Sequence, residues 1–320
     1  MKGFISPLRI SFVGGGTDMP FYYKKHSGEV ITTAINKYTW VLINKWQNKN
    51  LLLKYSKSEL VDSKKKIKHR LIKEIMKNYN FSGLDINFIA DLPNRAGLGS
   101  SSSFTVALIG ALEKFKGKKI NKKKLAKAAC DIEIKKLKDP IGKQDQYISA
   151  FGGLCHIIFK KNNVFVKKIN IEKRKIINFE KSISLINTGI FRSANKILKK
   201  QSKKAKKNEH IYHEIRNLVP QFLLALKNND IKKCGNILKE NWNLKKKLDD
   251  NVYLKKFSFI EKKLNKLGVY GYKLLGAGSG GYYCVISSQE QKKKLKKIFK
   301  KNFLNIKFDN LGAREVKISI

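Results

Sequence analysis

Residues 91–105 read DLPNRAGLGSSSSFT. Upstream, LDINFIA at 84–90 alternates apolar positions and predicts a strand; downstream, FTVALIGALEKF at 104–115 has the apolar spacing of a helix. A glycine-rich loop therefore feeds a helix. Gly97 and Gly99 lack Cβ atoms, so the backbone there can take positive φ and approach a bulky anion closely. Ser100, Ser101, Ser102 and Ser103 follow, placing hydroxyls and unpaired N–H groups at the helix N-terminus, where the macrodipole also favours negative charge. The stretch admits two readings, a phosphate cradle or a serine-capped helix after a glycine turn. It is not a Walker A loop, because no Gly-Lys-Ser/Thr closes it.

A chain of 320 residues suits two packed lobes with a substantial core. It has no stretch of about 18 apolar residues, so no membrane partner is expected. The first residues lack the apolar core and cleavage site of a signal peptide, which points to the cytoplasm. Cys130, Cys155, Cys234 and Cys284 are scattered without a C-x-x-C pair, so buried free thiols are expected rather than disulfides or zinc. The net charge of +45 comes from 69 Lys and Arg against 24 Asp and Glu. Such a field attracts phosphate polymers. The excess is nearly all Lys, though, and runs from Lys24 to Lys317 beside many Asn and Ile, which suits solvated faces rather than a dedicated groove. No specific nucleic-acid partner is expected, only sticking to polyanions at low salt.

In chain order, ISPLRISFVGGGTD at 5–18 reads as a strand and a glycine turn, and EVITTAIN, YTWVLIN and LLLKY extend a mostly antiparallel sheet. On its own, GGGTD is also compatible with a loop whose Asp caps a turn. Residues 64–78 have amphipathic spacing and predict a helix. Asn121 caps a second helix, NKKKLAKAACDIEIKKL, with Glu133 at the edge of its apolar face, where a carboxylate is usually solvated. DPIGKQDQYISAFGG at 139–153 reads as a helix start carrying Asp145. ISLINTG at 183–189 predicts a strand running into a helix near Arg192, where Thr188, Arg192 and Ser193 outline an anion site or a plain helix start. Residues 195–267 have helical spacing throughout. His210 and His213 fall there at i and i+3, with no carboxylate or Cys pattern recognised beside them, so no metal pair is expected. GYKLLGAGSGGYYCVI at 271–286 reads as strand, glycine-rich turn and strand, with more glycines than a tight hairpin needs.

Three of these strings resemble the motifs of the GHMP kinases, the family of galactokinase, homoserine kinase and mevalonate kinase. PNRAGLGSSSS is similar to the second motif, P-x-x-x-G-L-G-S-S-A, through Pro93, Gly97, Leu98, Gly99, Ser100 and Ser101, with Ser102 in place of Ala. Pro7, Arg9, Gly14, Thr17 and Asp18 resemble the first motif, but Gly15 and Gly16 stand where galactokinases carry Glu and His. Lys273, Gly276, Ala277, Gly278, Gly280 and Gly281 resemble the third, with Ser279 replacing a glycine. Gly142, Asp145 and Gln146 match the family's G-x-x-D-Q. The fuller strings GKQDQY with FGG, and TGIFRSANKIL, resemble the sugar 1-kinase branch that includes heptose 7-phosphate kinases and fucokinases.

The resemblance implies an α+β, two-lobed fold: an ATP-binding lobe over 1–180, arranged like ribosomal protein S5, and an α+β lobe over 181–320, with the active site between them. It implies ATP and Mg2+ as cofactors and a sugar or sugar phosphate as substrate, on a monomer or homodimer. Pro93 and residues 97–102 would hold the nucleotide phosphates, Ser101 and Glu133 the magnesium. Asp145 would deprotonate the anomeric hydroxyl with Arg9 beside it. Gly15, Gly16, Thr17, Asp18, Arg192 and Gly278 would surround the sugar, Arg192 meeting a remote phosphate or a hydroxyl. The roomier loop at Gly15 and Gly16 argues against galactose, and D-glycero-D-manno-heptose 7-phosphate is the leading expectation, another sugar such as fucose the alternative. A non-catalytic polyanion-binding protein on the same fold is the reading from a different class.

Overall fold

The computed structural model describes residues 1–93, 96–190, 194–249, 252–278 and 280–317. Two sheets organise them. The first has eight strands: β1 (Lys2–Val13), β2 (Gly28–Lys45), β3 (Leu51–Lys54), β4 (Ser58–Val61), β5 (Leu84–Ala90), β6 (Leu154–Phe159), β7 (Val164–Lys168) and β12 (Arg314–Val316). Its order is β12-β1-β2-β5-β3-β4, with β6 and β7 continuing from the other half of β2. All pairings are antiparallel except β3 with β5. The strings EVITTAIN and YTWVLIN, expected as separate strands, form the single long β2; the register against β1 shifts at Pro7/Leu8, which lets one strand serve β5 and β6 in turn.

Helices α1 (Pro20–Tyr23), α2 (Arg70–Met76), α3 (Ser100–Phe115), α4 (Lys122–Cys130) and α5 (Gln144–Phe151) accompany this sheet. The helix expected over 64–78 is shorter than its pattern. Lys64–Lys66 form only a 3-10 turn, and Glu59 accepts the N–H groups of Lys68 and His69, so the α-helix starts only where His69 caps Ile72 through its ring. Asn121 caps α4 as expected, accepting from Lys124 N at 3.0 Å. Beyond Cys130 the helix widens into a π-turn, Asp131–Lys136, which rotates Glu133 inward.

After α6 (Lys173–Ser182), the second sheet sets β8 (Ile183–Asn187) between β11 (Phe303–Leu304) and β10 (Tyr282–Ile286), with β9 (Gly271–Leu274) on the far edge. Around it lie α7 (Ala194–Lys203), α8 (Glu209–Lys227), α9 (Ile231–Lys247), α10 (Ser258–Lys266) and α11 (Gln289–Phe299). The 180/181 division thus falls in the last turns of α6, and the final strand β12 crosses back to the first sheet. One core joins β1 through Leu8, Ile10 and Phe12 to α8 through Ile215, Val219 and Phe222. That shared packing fixes the two sheets about a common cleft.

Candidate active site

The phosphate-loop candidate lies where the strand-to-helix reading put it. Gly99 is the left-handed residue preceding α3, at φ 75°, and Gly97 is left-handed at φ 74°. The first bond inside α3 runs from Ser103 N to Gly99 O, so the N–H groups of Ser100, Ser101 and Ser102 have no intrahelical acceptor. Space explains the glycines. A Cβ on Gly97 would sit 2.7 Å from Leu275 O, and one on Gly276 would sit 2.6 Å from Gly97 Cα. The loops of the second and third motifs therefore touch backbone to backbone.

Arg9 and Asp145 meet beside this contact. Arg9 Nε donates to Asp145 Oδ1 at 2.8 Å and Nη2 to Oδ2 at 2.9 Å, a two-pronged pair. Its Nη1 donates to Gly97 O at 2.6 Å, which ties the pair to the phosphate loop. A Cβ on Gly99 would come within 3.1 Å of Asp145 Oδ2, so glycine there lets the carboxylate lie against the loop.

A cavity of about 570 Å³ opens over these groups. Arg9, Asp145, Gly97, Gly99, Ser100, Ser101 and Ser102 line it. Gly15, Gly16, Asp18, Ser11 and Gln144 line it too, as do Tyr55, His69 and Phe104, with the His69 and Phe104 rings stacked at 5.6 Å. Asp18 is buried, accepting from Gly16 N and Gln144 N, and burial, then the charge of Asp145, raises its pKa.

Glu133 is fully buried rather than solvated. It does not itself line the cavity but sits behind it, accepting from Gln146 Nε2 at 2.6 Å and from Ser101 Oγ at 3.3 Å. Burial pushes its pKa up to about 7.

Four other expected contacts lie elsewhere. Thr17 is fully buried, its hydroxyl occupied by the carbonyls of Gly14 and Glu29 and by Glu29 N, so it shapes the turn instead of facing the cavity. Leu98 is likewise core and Pro93 exposed, neither on the cavity wall. Gly278 packs on Val252 away from it. Arg192 and Ser193 lie outside the described residues.

Two buried lysines also line the cavity, one of which no motif announced. Lys245, on α9, is buried on its wall and donates to Gly276 O; burial, then the nearby Arg9 charge, lowers its pKa to about 8. Lys273, expected only as a motif lysine, reaches Ser11 O, Phe12 O and Asn241 Oδ1 at 3.1, 2.6 and 2.8 Å, pinning β9 to β1. Burial and the Lys245 charge hold its pKa well below the ordinary lysine value. Arg70 grips Asp139 at 2.6 and 2.8 Å, and Asn195 of α7 reaches the same carboxylate at 3.3 Å.

Profiles for the GHMP kinases N terminal domain and the GHMP kinases C terminal domain match residues 65–153 and 222–305. The chain belongs to the GHMP kinase family. It is therefore an ATP-dependent phosphotransferase of the sugar-kinase kind. D-glycero-alpha-D-manno-heptose 7-phosphate kinase of Campylobacter jejuni is 28% identical over 317 residues, covering 92% of each chain. Galactokinase of Pyrococcus furiosus is also 28% identical, over 90% of this chain and 89% of its own. Among solved structures, a D-glycero-D-manno-heptose 1-phosphate kinase from Bacteroides thetaiotaomicron superposes with a TM-score of 0.83 over all of both chains at 21% identity, which shows a shared fold. No helix among the described residues of this GHMP kinase is long and apolar enough to cross a membrane.

Proposed function

We propose that this kinase phosphorylates the anomeric hydroxyl of a sugar phosphate, D-glycero-D-manno-heptose 7-phosphate, giving the 1,7-bisphosphate. The observation that carries the reading is the Arg9–Asp145 pair, aimed into the cavity and tied to the phosphate loop. Asp145 accepts the proton of the attacking hydroxyl; Arg9 holds that carboxylate in place and opposes charge gathering on the transferred group. The N–H groups of Ser100, Ser101 and Ser102, which have no intrahelical acceptor, bind the nucleotide phosphates.

The residues fit a magnesium ion. Ser101 Oγ and Glu133 Oε1 are hard oxygen donors 3.3 Å apart beside the phosphate loop, and among the described residues no Lys or Arg forms an ion pair with the buried Glu133 carboxylate. When bound, magnesium neutralises charge on the transferred phosphoryl. Glu133 must ionise to ligate it. With a pKa raised to about 7, the carboxyl is increasingly protonated below that pH, so the magnesium needed for half-maximal rate should rise by up to about tenfold per pH unit between 7 and 5. Rates measured against magnesium concentration at several pH values check this, with Glu133→Gln expected to flatten the dependence. For folding the sign is opposite: the unfolded chain ionises first, so the metal-free protein loses stability as pH rises from about 4.5 to about 7.

For the substrate, support comes from the Campylobacter jejuni relative and from the composition of the cavity wall. Ser11 Oγ, Gln144 Oε1 and Gln201 Nε2 are buried without hydrogen-bond partners among the described residues, and all three residues line the cavity. Buried polar atoms favour a partner rich in hydroxyls. Lys245 adds positive charge where an anionic sugar would lie. Gln201→Met should raise KM for the sugar about tenfold and leave KM for ATP unchanged. Steady-state kinetics with each substrate varied in turn reads both. The galactokinase relative supports a second reading, an unphosphorylated sugar. Magnesium-dependent ADP release with heptose 7-phosphate, heptose, fucose and galactose at equal concentration separates them. Turnover with heptose 7-phosphate alone supports the first reading; turnover with a neutral sugar alone removes it while leaving the mechanism.

A further inference from the structure

Outside the cavity, one cluster carries donor atoms that phosphoryl transfer does not use. His26 ends the turn after α1, where its N–H bonds Tyr22 O at 2.8 Å. Glu209 and His213 stand four residues apart at the start of α8, and so share one helix face. One ligand atom from each of the three residues lies within 4.8 Å of the other two, and all three side chains are half-buried. His26 Nε2 is 2.7 Å from Glu209 Oε1, and the His26 and His213 rings meet edge to face at 4.6 Å. Behind them, Tyr22 Oη lies 2.8 Å from Nδ1 of His213, on a ring only 1% exposed. That contact fixes the imidazole in the manner of an outer partner to a metal ligand.

We propose that His26, Glu209 and His213 form a site for one borderline divalent cation of the zinc class. Two imidazoles and a carboxylate, with water in the fourth position, are a donor set that zinc accepts in tetrahedral geometry. Magnesium, which prefers oxygen ligands alone, is not matched by it. The nearby cations do not block the site. Lys25 Nζ is 4.0 Å from Glu209 on a mostly exposed side chain, free to turn into solvent, and Arg216 is held by Glu29 at 2.7 Å.

The cation would act as a brace between the lobes. It joins the turn after α1 to α8, and Tyr212, next to His213, packs on the substrate-side loop: a Cβ on Gly16 would be 2.9 Å from its ring, and Phe21 lies against it at 5.1 Å. Occupancy therefore stiffens the loop carrying Gly15, Gly16 and Asp18 without adding a group to the cavity wall.

The test uses the whole chain, stripped of metal with EDTA and dialysed, then titrated with zinc chloride by calorimetry and with cobalt chloride by visible absorption. One-to-one zinc binding, a raised melting temperature and the intense absorption of tetrahedral cobalt are expected. His26→Ala and His213→Ala should each weaken zinc binding by at least about tenfold. His210→Ala, an exposed histidine outside the cluster, should leave it unchanged. Because His213→Ala also strips Tyr22 of its partner, Glu209→Gln is the second variant, expected to lose zinc affinity while the metal-free protein still folds. Full zinc affinity in His26→Ala and Glu209→Gln, or no one-to-one binding by the unsubstituted chain, would overturn the site.

Discussion

Asp145→Asn is expected to lower kcat by roughly 10²–10⁴-fold, the range contributed by a positioned general base, while ATP binding stays nearly intact. The substitution preserves shape. Arg9 Nε and Nη2 now face one carbonyl oxygen and one amide instead of two carboxylate oxygens, so the fork loses a prong while Arg9 Nη1 still holds Gly97 O. The phosphate loop should therefore survive, and with it the nucleotide site. What disappears is the acceptor for the hydroxyl proton. Calorimetric binding of a non-hydrolysable ATP analogue, alongside steady-state rates, separates the two contributions. Parallel loss of nucleotide affinity and turnover would instead make Asp145 a structural tether.

The second large effect is expected at Gly97. Alanine there must hold φ near 74° with its Cβ 2.7 Å from Leu275 O, and Leu275 cannot recede easily, since its N–H is bonded to Tyr282 O at 2.9 Å. Left-handed strain of about 1–3 kcal/mol adds to the clash, and the loop's contact with Gly276 opens. ATP affinity should fall by at least roughly tenfold, the equivalent of about 1.4 kcal/mol. Gly117→Ala provides the control. It has φ 78° but no atom within 4 Å of its added Cβ, so it should lose some stability and keep its ATP affinity. Equal loss of nucleotide binding in both variants would remove the packing argument.

The sequence announced whatever depends on local backbone rules. Gly97 and Gly99 before a helix that opens on serines, Asn121 as a cap, and the paired strands around GAGSGG all follow from φ, hydrogen-bond supply and apolar period, and each is where those rules put it. The meeting of Arg9 with Asp145, 136 positions apart, was legible only because both fall in family motifs. Other features depended on tertiary geometry. Glu133 looked solvated on an α-helical wheel; a π-turn changes the phase of that wheel and turns the carboxyl inward. Lys245 and Gln201 are single residues in lysine-rich helices, indistinguishable in sequence from their exposed neighbours until α7 and α9 close over the cavity. Thr17 shows the reverse error, a motif residue whose hydroxyl satisfies its own turn. His213 was paired in sequence with His210, but its structural neighbours are Glu209, one helical turn earlier, and His26 from the other lobe.

We propose Asp145 as the group that directs the phosphoryl to the anomeric oxygen of heptose 7-phosphate. Phosphorus NMR of the products formed from ATP, magnesium and that sugar reads it directly. A second sugar-phosphate resonance coupled to the anomeric proton, absent when Asp145→Asn replaces the native enzyme, is the predicted result. Phosphate appearing on any other carbon, or ATP left intact with heptose 7-phosphate but consumed with an unphosphorylated sugar, would contradict it.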